Sequence, residues 1–145
     1  MEKLKKIFFA SQAISLSSKA FDLASKGKFD ECIYTLHICR NKYQLSGQNL
    51  YRIEIDILSS FVHMKKNEFD LSKKYLKYIF TRIKRSNEYN IDEKKYLTVY
   101  SLYILESVKN SSSKRIIKNI KNSIEFDRKN IRKNLLMNFP LVEIT

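Results

Sequence analysis

The stretch Leu50–Met64, LYRIEIDILSSFVHM, is apolar around most of its circumference when read at helical period. Leu50, Ile53, Ile57, Phe61 and Met64 form one stripe, and Tyr51, Ile55, Leu58 and Val62 form a second beside it. Only Arg52, Asp56, Ser59, Ser60 and His63 make a narrow polar strip. A helix this apolar must be covered on most sides. The pattern therefore predicts a central helix with helical neighbours before and after it.

The neighbours are visible at the same period. The first ten residues read as a separate helical piece. Ser11 then caps a helix to about Lys26, with Ala13, Leu16, Ala20, Leu23 and Ala24 on its apolar face. Gly27 stands where a helix end wants a left-handed residue. A second helix runs from Phe29 to Tyr43, with Asp30 and Glu31 complementing its dipole and Cys32, Ile33, Leu36 and Cys39 inward. Ser46-Gly47 is the next break, and Lys65-Lys66-Asn67 is a tight turn after the central helix. The spacing of Leu71, Tyr75, Leu76, Ile79, Phe80 and Ile83 predicts one unbroken helix over Glu68–Arg85. Ser86 to Asn90 reads as a polar connection. Asp92 and Glu93 open a fifth helix carrying Leu97, Tyr100, Ile104, Leu105 and Val108. Ser111, Ser112 and Ser113 offer caps for a sixth, with Ile117, Ile120 and Ile124. Asp127 then caps a last helix ending near Asn138, with Phe126 and Ile131 as a hydrophobic staple. Pro140 stops that helix, and an extended tail follows.

Composition narrows the class. Two glycines and one proline in 145 residues are too few for a loop-rich or all-β chain. The expectation is a single all-α domain over residues 1–145, of about seven helices. No stretch approaches the ~20 apolar residues of a membrane span. The start, MEKLKKIFFASQA, resembles a signal peptide in its basic lead, but Ser11 and Gln12 cut the apolar run short. Cys32 and Cys39 lie two helical turns apart, roughly 10 Å by the helical rise, too far to bridge. Two unbridged thiols suit a reducing cytoplasm, which is the expected location.

A repeat lies within this order. SKGKFDECIYTLHIC (Ser25–Cys39) and KKNEFDLSKKYLKYI (Lys65–Ile79) share a turn residue, Gly27 or Asn67, followed by an aromatic-Asp pair. Small residues recur at Cys32 and Ser72, and before the turns at Ala20 and Ser60. Leu36 and Leu76 follow in register. This arrangement resembles the tetratricopeptide repeat, a helix-turn-helix unit with small residues at helix contacts. Two repeats match. A third is degenerate, with Tyr103 and Arg115 at the small positions. The turns also lie farther apart than the roughly 34 residues usual in that family. The resemblance implies antiparallel hairpins stacked as a short solenoid, since no hairpin buries its apolar face alone. It also implies an inner groove lined by Phe21, Glu54, Ile57, Phe61, Lys65 and Tyr100. The other reading of these residues is core, with Glu54 meeting a lysine of a neighbouring helix.

Nothing in the pattern carries chemistry. His37 and His63 belong to no HExxH pattern, and Cys32 and Cys39 lack the short spacing of zinc sites. No glycine loop cradles phosphate. The expectation is no catalytic residue, no metal, no cofactor and no enzyme activity.

A net charge of +13 points instead to an acidic partner. Lys73, Lys77 and Lys84 line one side of the fourth helix, with Lys74 and Arg85 beside them. Lys114, Lys118 and Lys121 line the sixth, and Arg128, Lys129, Arg132 and Lys133 crowd the end. These rows read either as one merged basic surface or as a solvated exterior. Nucleic acid would fit such a surface through its phosphates, yet no DNA-binding helix-turn-helix or RNP-like signature accompanies it. A membrane surface would want bulky apolar residues beside the lysines, and none is expected as partner. The sharpest functional expectation is a non-catalytic module that neutralises a partner protein, as an immunity protein or antitoxin blocks an acidic toxin. The alternatives are a peptide-binding adaptor and a basic nucleic-acid-binding protein. The oligomeric state is left open.

Overall fold

The computed structural model describes residues 2–48, 51–109 and 113–131. They form seven α-helical segments and no strand: α1 (Glu2–Ser25), α2 (Phe29–Ser46), α3 (Arg52–Lys65), α4 (Phe69–Leu76), α5 (Ile79–Arg85), α6 (Ile91–Val108) and α7 (Lys114–Arg128). None of them is long and apolar enough to cross a membrane. Consecutive helices pair closely, α1 with α2, α3 with α4 and α6 with α7. The central helix α3 touches α1, α2, α4, α5 and α6. Much of its polar strip is buried along with its apolar stripes, since Ser59, Ser60 and His63 are all covered, while Arg52 stays exposed.

The two predicted turns have the same backbone hydrogen bonds. Lys28 N–H donates to Leu23 O at 2.9 Å, and Gly27 N–H to Ala24 O at 3.0 Å. Glu68 N–H donates to His63 O at 2.8 Å, and Asn67 N–H to Met64 O at 3.0 Å. Both are Schellman ends, which need a left-handed residue after the helix. Gly27 has φ +74° and Asn67 has φ +61°. The small residues meet where the repeat places them. Cys32 Sγ donates to Ala20 O at 3.2 Å. Ser60 and Ser72 exchange bonds, each hydroxyl donating to the other's main-chain oxygen at 2.8 Å. A larger side chain at either position would push the paired helices apart.

Four expectations need correction. First, α1 is continuous from Glu2 to Ser25, and Ser11 is an exposed interior residue, not a cap. No helix breaker interrupts that stretch, and Lys42 of α2 reaches back to lie 5.2 Å over the Phe9 ring. Secondly, the predicted Glu68–Arg85 helix is broken at Lys77-Tyr78. Ser72, Leu76, Ile79 and Ile83 stay buried at helical spacing across the break, so the apolar pattern bears no mark of it. Thirdly, Tyr51 is not helical. It precedes α3 with φ +59°, in the left-handed region. Fourthly, Asp127 does not open a helix among the described residues. It lies inside α7, buried beside Lys95 at 3.5 Å, while Phe126 is 65% exposed.

The true caps are Asn90 and Ser113. Asn90 forms a full capping box with Glu93 at the start of α6. Ser113 accepts from Ile116 N–H at 3.2 Å at the start of α7. Leu50, Ser111 and Ser112, the predicted last helix beyond residue 131, Pro140 and the tail lie outside the described residues.

Candidate functional site

The implied groove is not a surface in this fold. Phe21, Glu54, Ile57, Phe61 and Tyr100 have no exposed area and belong to the core. Phe61 and Tyr100 meet edge to face with ring centroids 6.5 Å apart. Lys65 alone of the six reaches the edge, with its ammonium 5.6 Å from the Phe61 ring. Burial, and then the nearby charge of Lys121, lower its pKa. The physical reason is the width of the apolar stripes on α3, which puts Glu54, Ile57 and Phe61 among its helical neighbours.

Glu54 has found a partner the sequence did not suggest. Tyr89 OH donates to its Oε2 at 3.1 Å. Tyr89 comes from the connection read as polar, and it is itself buried. Burial and the Glu54 carboxylate both raise the Tyr89 pKa. A buried carboxylate needs such donors, and a tyrosine in a loop leaves no periodic signal.

Of the predicted basic residues, Lys73, Lys77, Lys84, Lys114 and Lys118 are exposed. Lys121 is half-buried, 5.8 Å over the Tyr103 ring. Arg128 pairs with Glu125 at 2.9 Å, and Arg132 lies outside the described residues. The rows on α4–α5 and on α7 are carried by different neighbours of α6, which packs on all three.

Between α5 and α6 lies a hollow of about 460 Å³, walled by Phe80, Ile83, Ile91 and Val99. Lys84, Lys94 and Lys95 stand around it. Ile91 is 84% exposed at its mouth. A second hollow adjoins it through Lys95 and Val99 and is bounded by the exposed Phe126. Lys84 alone of this group was singled out from sequence. Ile91 precedes the acidic pair that opens α6, and Phe126 was assigned to a staple.

A second cluster surrounds Asp56. Its Oδ1 accepts from Arg40 at 3.1 Å and its Oδ2 from Arg82 at 3.0 Å. Arg40 also donates to Ser59 Oγ at 2.6 Å. The guanidinium of Arg40 lies 5.0 Å over Tyr75, whose ring stacks on His63 at 5.6 Å. His63 Nδ1 is 3.0 Å from Glu68 Oε1. That bond, and the nearby Lys66, hold the Glu68 carboxyl below the usual range.

The thiols are structural in their contacts. Cys32 and Cys39 are buried and unbridged, and Cys39 Sγ donates to Ala13 O at 3.3 Å. Burial pushes the Cys32 thiol up to about 12, against a small opposing effect of Arg40. Burial likewise lifts Tyr43 to about 12. Both folded values exceed the unfolded ones, roughly 8.5 and 10. Their stabilising contribution is therefore complete below the unfolded values and is lost as pH rises towards the folded ones. Thermal melts followed by circular dichroism should show a melting temperature that falls between about pH 9 and 12. A flat profile over that range would contradict the burial of these two groups.

The chain matches no family model, no curated protein and no solved structure.

Proposed function

We propose that the chain is a non-catalytic binding protein that covers an acidic surface of a partner protein, as an immunity protein or antitoxin covers its toxin. The observation that supports this reading is the apolar hollow between α5 and α6 with lysines around it. Protein interfaces have this anatomy, an apolar centre inside a polar rim. Ile91 is the anchor, because it is large, apolar and exposed at the mouth. Lys84 and Lys94 select a partner segment that brings carboxylates to the rim. The surplus of +13 draws that partner in before contact. The hairpins are read as tetratricopeptide-like, on the equivalence of their turns and of the Ala20–Cys32 and Ser60–Ser72 contacts.

The test is capture of partners from nuclease-treated lysate of the source cell, with the wild type and with Ile91→Asp. Ile91 is too exposed for this change to disturb the core. The reading expects an acidic protein held by the wild type and lost from the variant. Truncated interface anchors cost about 2 kcal/mol or more, roughly thirtyfold in affinity. Retention that disappears with nuclease treatment would favour the nucleic-acid reading instead. Equal retention by Ile91→Asp would exclude this hollow as the docking site.

A further inference from the structure

Four arginines line two hollows that share Arg52, and two of the four, Arg40 and Arg82, grip Asp56. Arg40 comes from α2, Arg52 opens α3, and Arg82 and Arg85 sit in α5. Arg52 lines two hollows. One, of about 420 Å³, is shared with Arg40, Gln44 and Asp56. The other, of about 340 Å³, is shared with Arg82 and Arg85. We propose that this cluster is a binding site for a phosphate monoester, independent of the protein-docking hollow on the α5–α6 side.

The geometry is that of a clamp set before any ligand arrives. Both oxygens of Asp56 are taken, one by Arg40 and one by Arg82. The Asp56 side chain is only 13% exposed, while the Arg40 and Arg82 side chains keep about a third of their surface. Ser59 and the Tyr75 ring fix Arg40 further, and Tyr78 lies 5.9 Å from the Arg82 guanidinium. Each guanidinium carries five N–H donors, so most remain for a ligand. Donors held in place in this way do not lose freedom on binding.

Charge selects the ligand class. In the hollow between Arg52 and α5, three guanidinium groups, Arg52, Arg82 and Arg85, stand against the single carboxylate of Glu88, which leaves two positive charges. A single carboxylate ligand neutralises one of them. A phosphate monoester, at about −1.5 to −2 near pH 7, neutralises both. The planar fork of arginine also matches phosphate oxygens in pairs. Each hollow has the size of a small-molecule pocket.

The simpler alternative is that Asp56 only ties α2, α3 and α5 together, and that anions collect loosely on a basic face. Calorimetry of the full chain with inorganic phosphate, adenosine 5′-monophosphate and adenosine, at constant ionic strength, separates the two. NMR of the arginine Nε–H resonances reports the site. Both phosphates should saturate and adenosine should not. Arg52→Gln, at an exposed position without an ion pair among the described residues, should weaken binding about tenfold, the effect of one lost charge-assisted contact. Asp56→Asn should also weaken it, although the variant is more positive, because the clamp is released. Absence of saturation in the millimolar range would overturn the proposal. So would tighter binding by Asp56→Asn, or an equal loss on Lys73→Gln, since either means diffuse attraction. Should Asp56→Asn fail to fold, unchanged affinity in Arg52→Gln overturns it alone.

Discussion

Phe61→Ala is expected to lower the free energy of unfolding by about 3–5 kcal/mol, the range for removing a buried phenyl ring. Phe61 has no exposed surface and packs against Tyr100 across the α3–α6 contact. The cost has two parts, lost transfer of the ring from water and the cavity left behind. Domains of this size are stable by only about 5–15 kcal/mol, so this one change consumes a large share. Urea denaturation measures it directly. A midpoint that moves strongly with the slope unchanged is the expected result. The same residue would have been a ligand contact had the inner face been an open groove. In that case the variant would keep its stability and lose only binding. The two outcomes are far enough apart for a single titration to separate them.

Ser72→Leu is the second large effect, and it acts by excess instead of loss. Ser60 and Ser72 sit hydroxyl to hydroxyl, 3.0 Å apart, in the α3–α4 contact. Each also bonds the other's main-chain oxygen. A leucine has no room there and takes from the Ser60 main-chain oxygen the hydroxyl that donates to it. Overpacking costs about 1–3 kcal/mol, and each lost hydrogen bond adds about 1. The expected total is about 2–4 kcal/mol, or a fall in melting temperature of about 10 °C. Lys73→Ala, one residue away on the exposed side, should change stability by less than about 0.5 kcal/mol. Similar effects from the two variants would mean that the α3–α4 contact is not the tight one described.

What could be seen in the sequence follows the range of the interactions. The central helix, the left-handed residues Gly27 and Asn67 and the pairing of Ala20 with Cys32 and of Ser60 with Ser72 all obey local spacing, and a helical period exposes them. Asp56 was visible only as one member of a polar strip. Its partners Arg40 and Arg82 come from other helices, and nothing in a linear pattern joins three such positions. Tyr89 was hidden for a related reason, since it reaches Glu54 from a connection that looks solvated. The break at Lys77-Tyr78 left no trace because the buried residues keep their spacing across it. The groove residues were placed on the correct helices but on the wrong side of the surface. The twin stripes on α3 already required that face to be covered, which is the core reading of the same residues.

On the proposed function, the α5–α6 hollow is the binding face, with lysines speeding encounter and Ile91 slowing release. The most direct measurement is the association and dissociation rates of the captured acidic protein with the wild type, Lys84→Glu/Lys94→Glu and Ile91→Asp, across a range of salt. Rim charges govern association and desolvated anchors govern dissociation. The lysine variant should associate more slowly, with a weaker salt dependence and nearly unchanged release. Ile91→Asp should release roughly thirtyfold faster. If both variants bind and release as the wild type does, the partner docks elsewhere and the central claim is wrong.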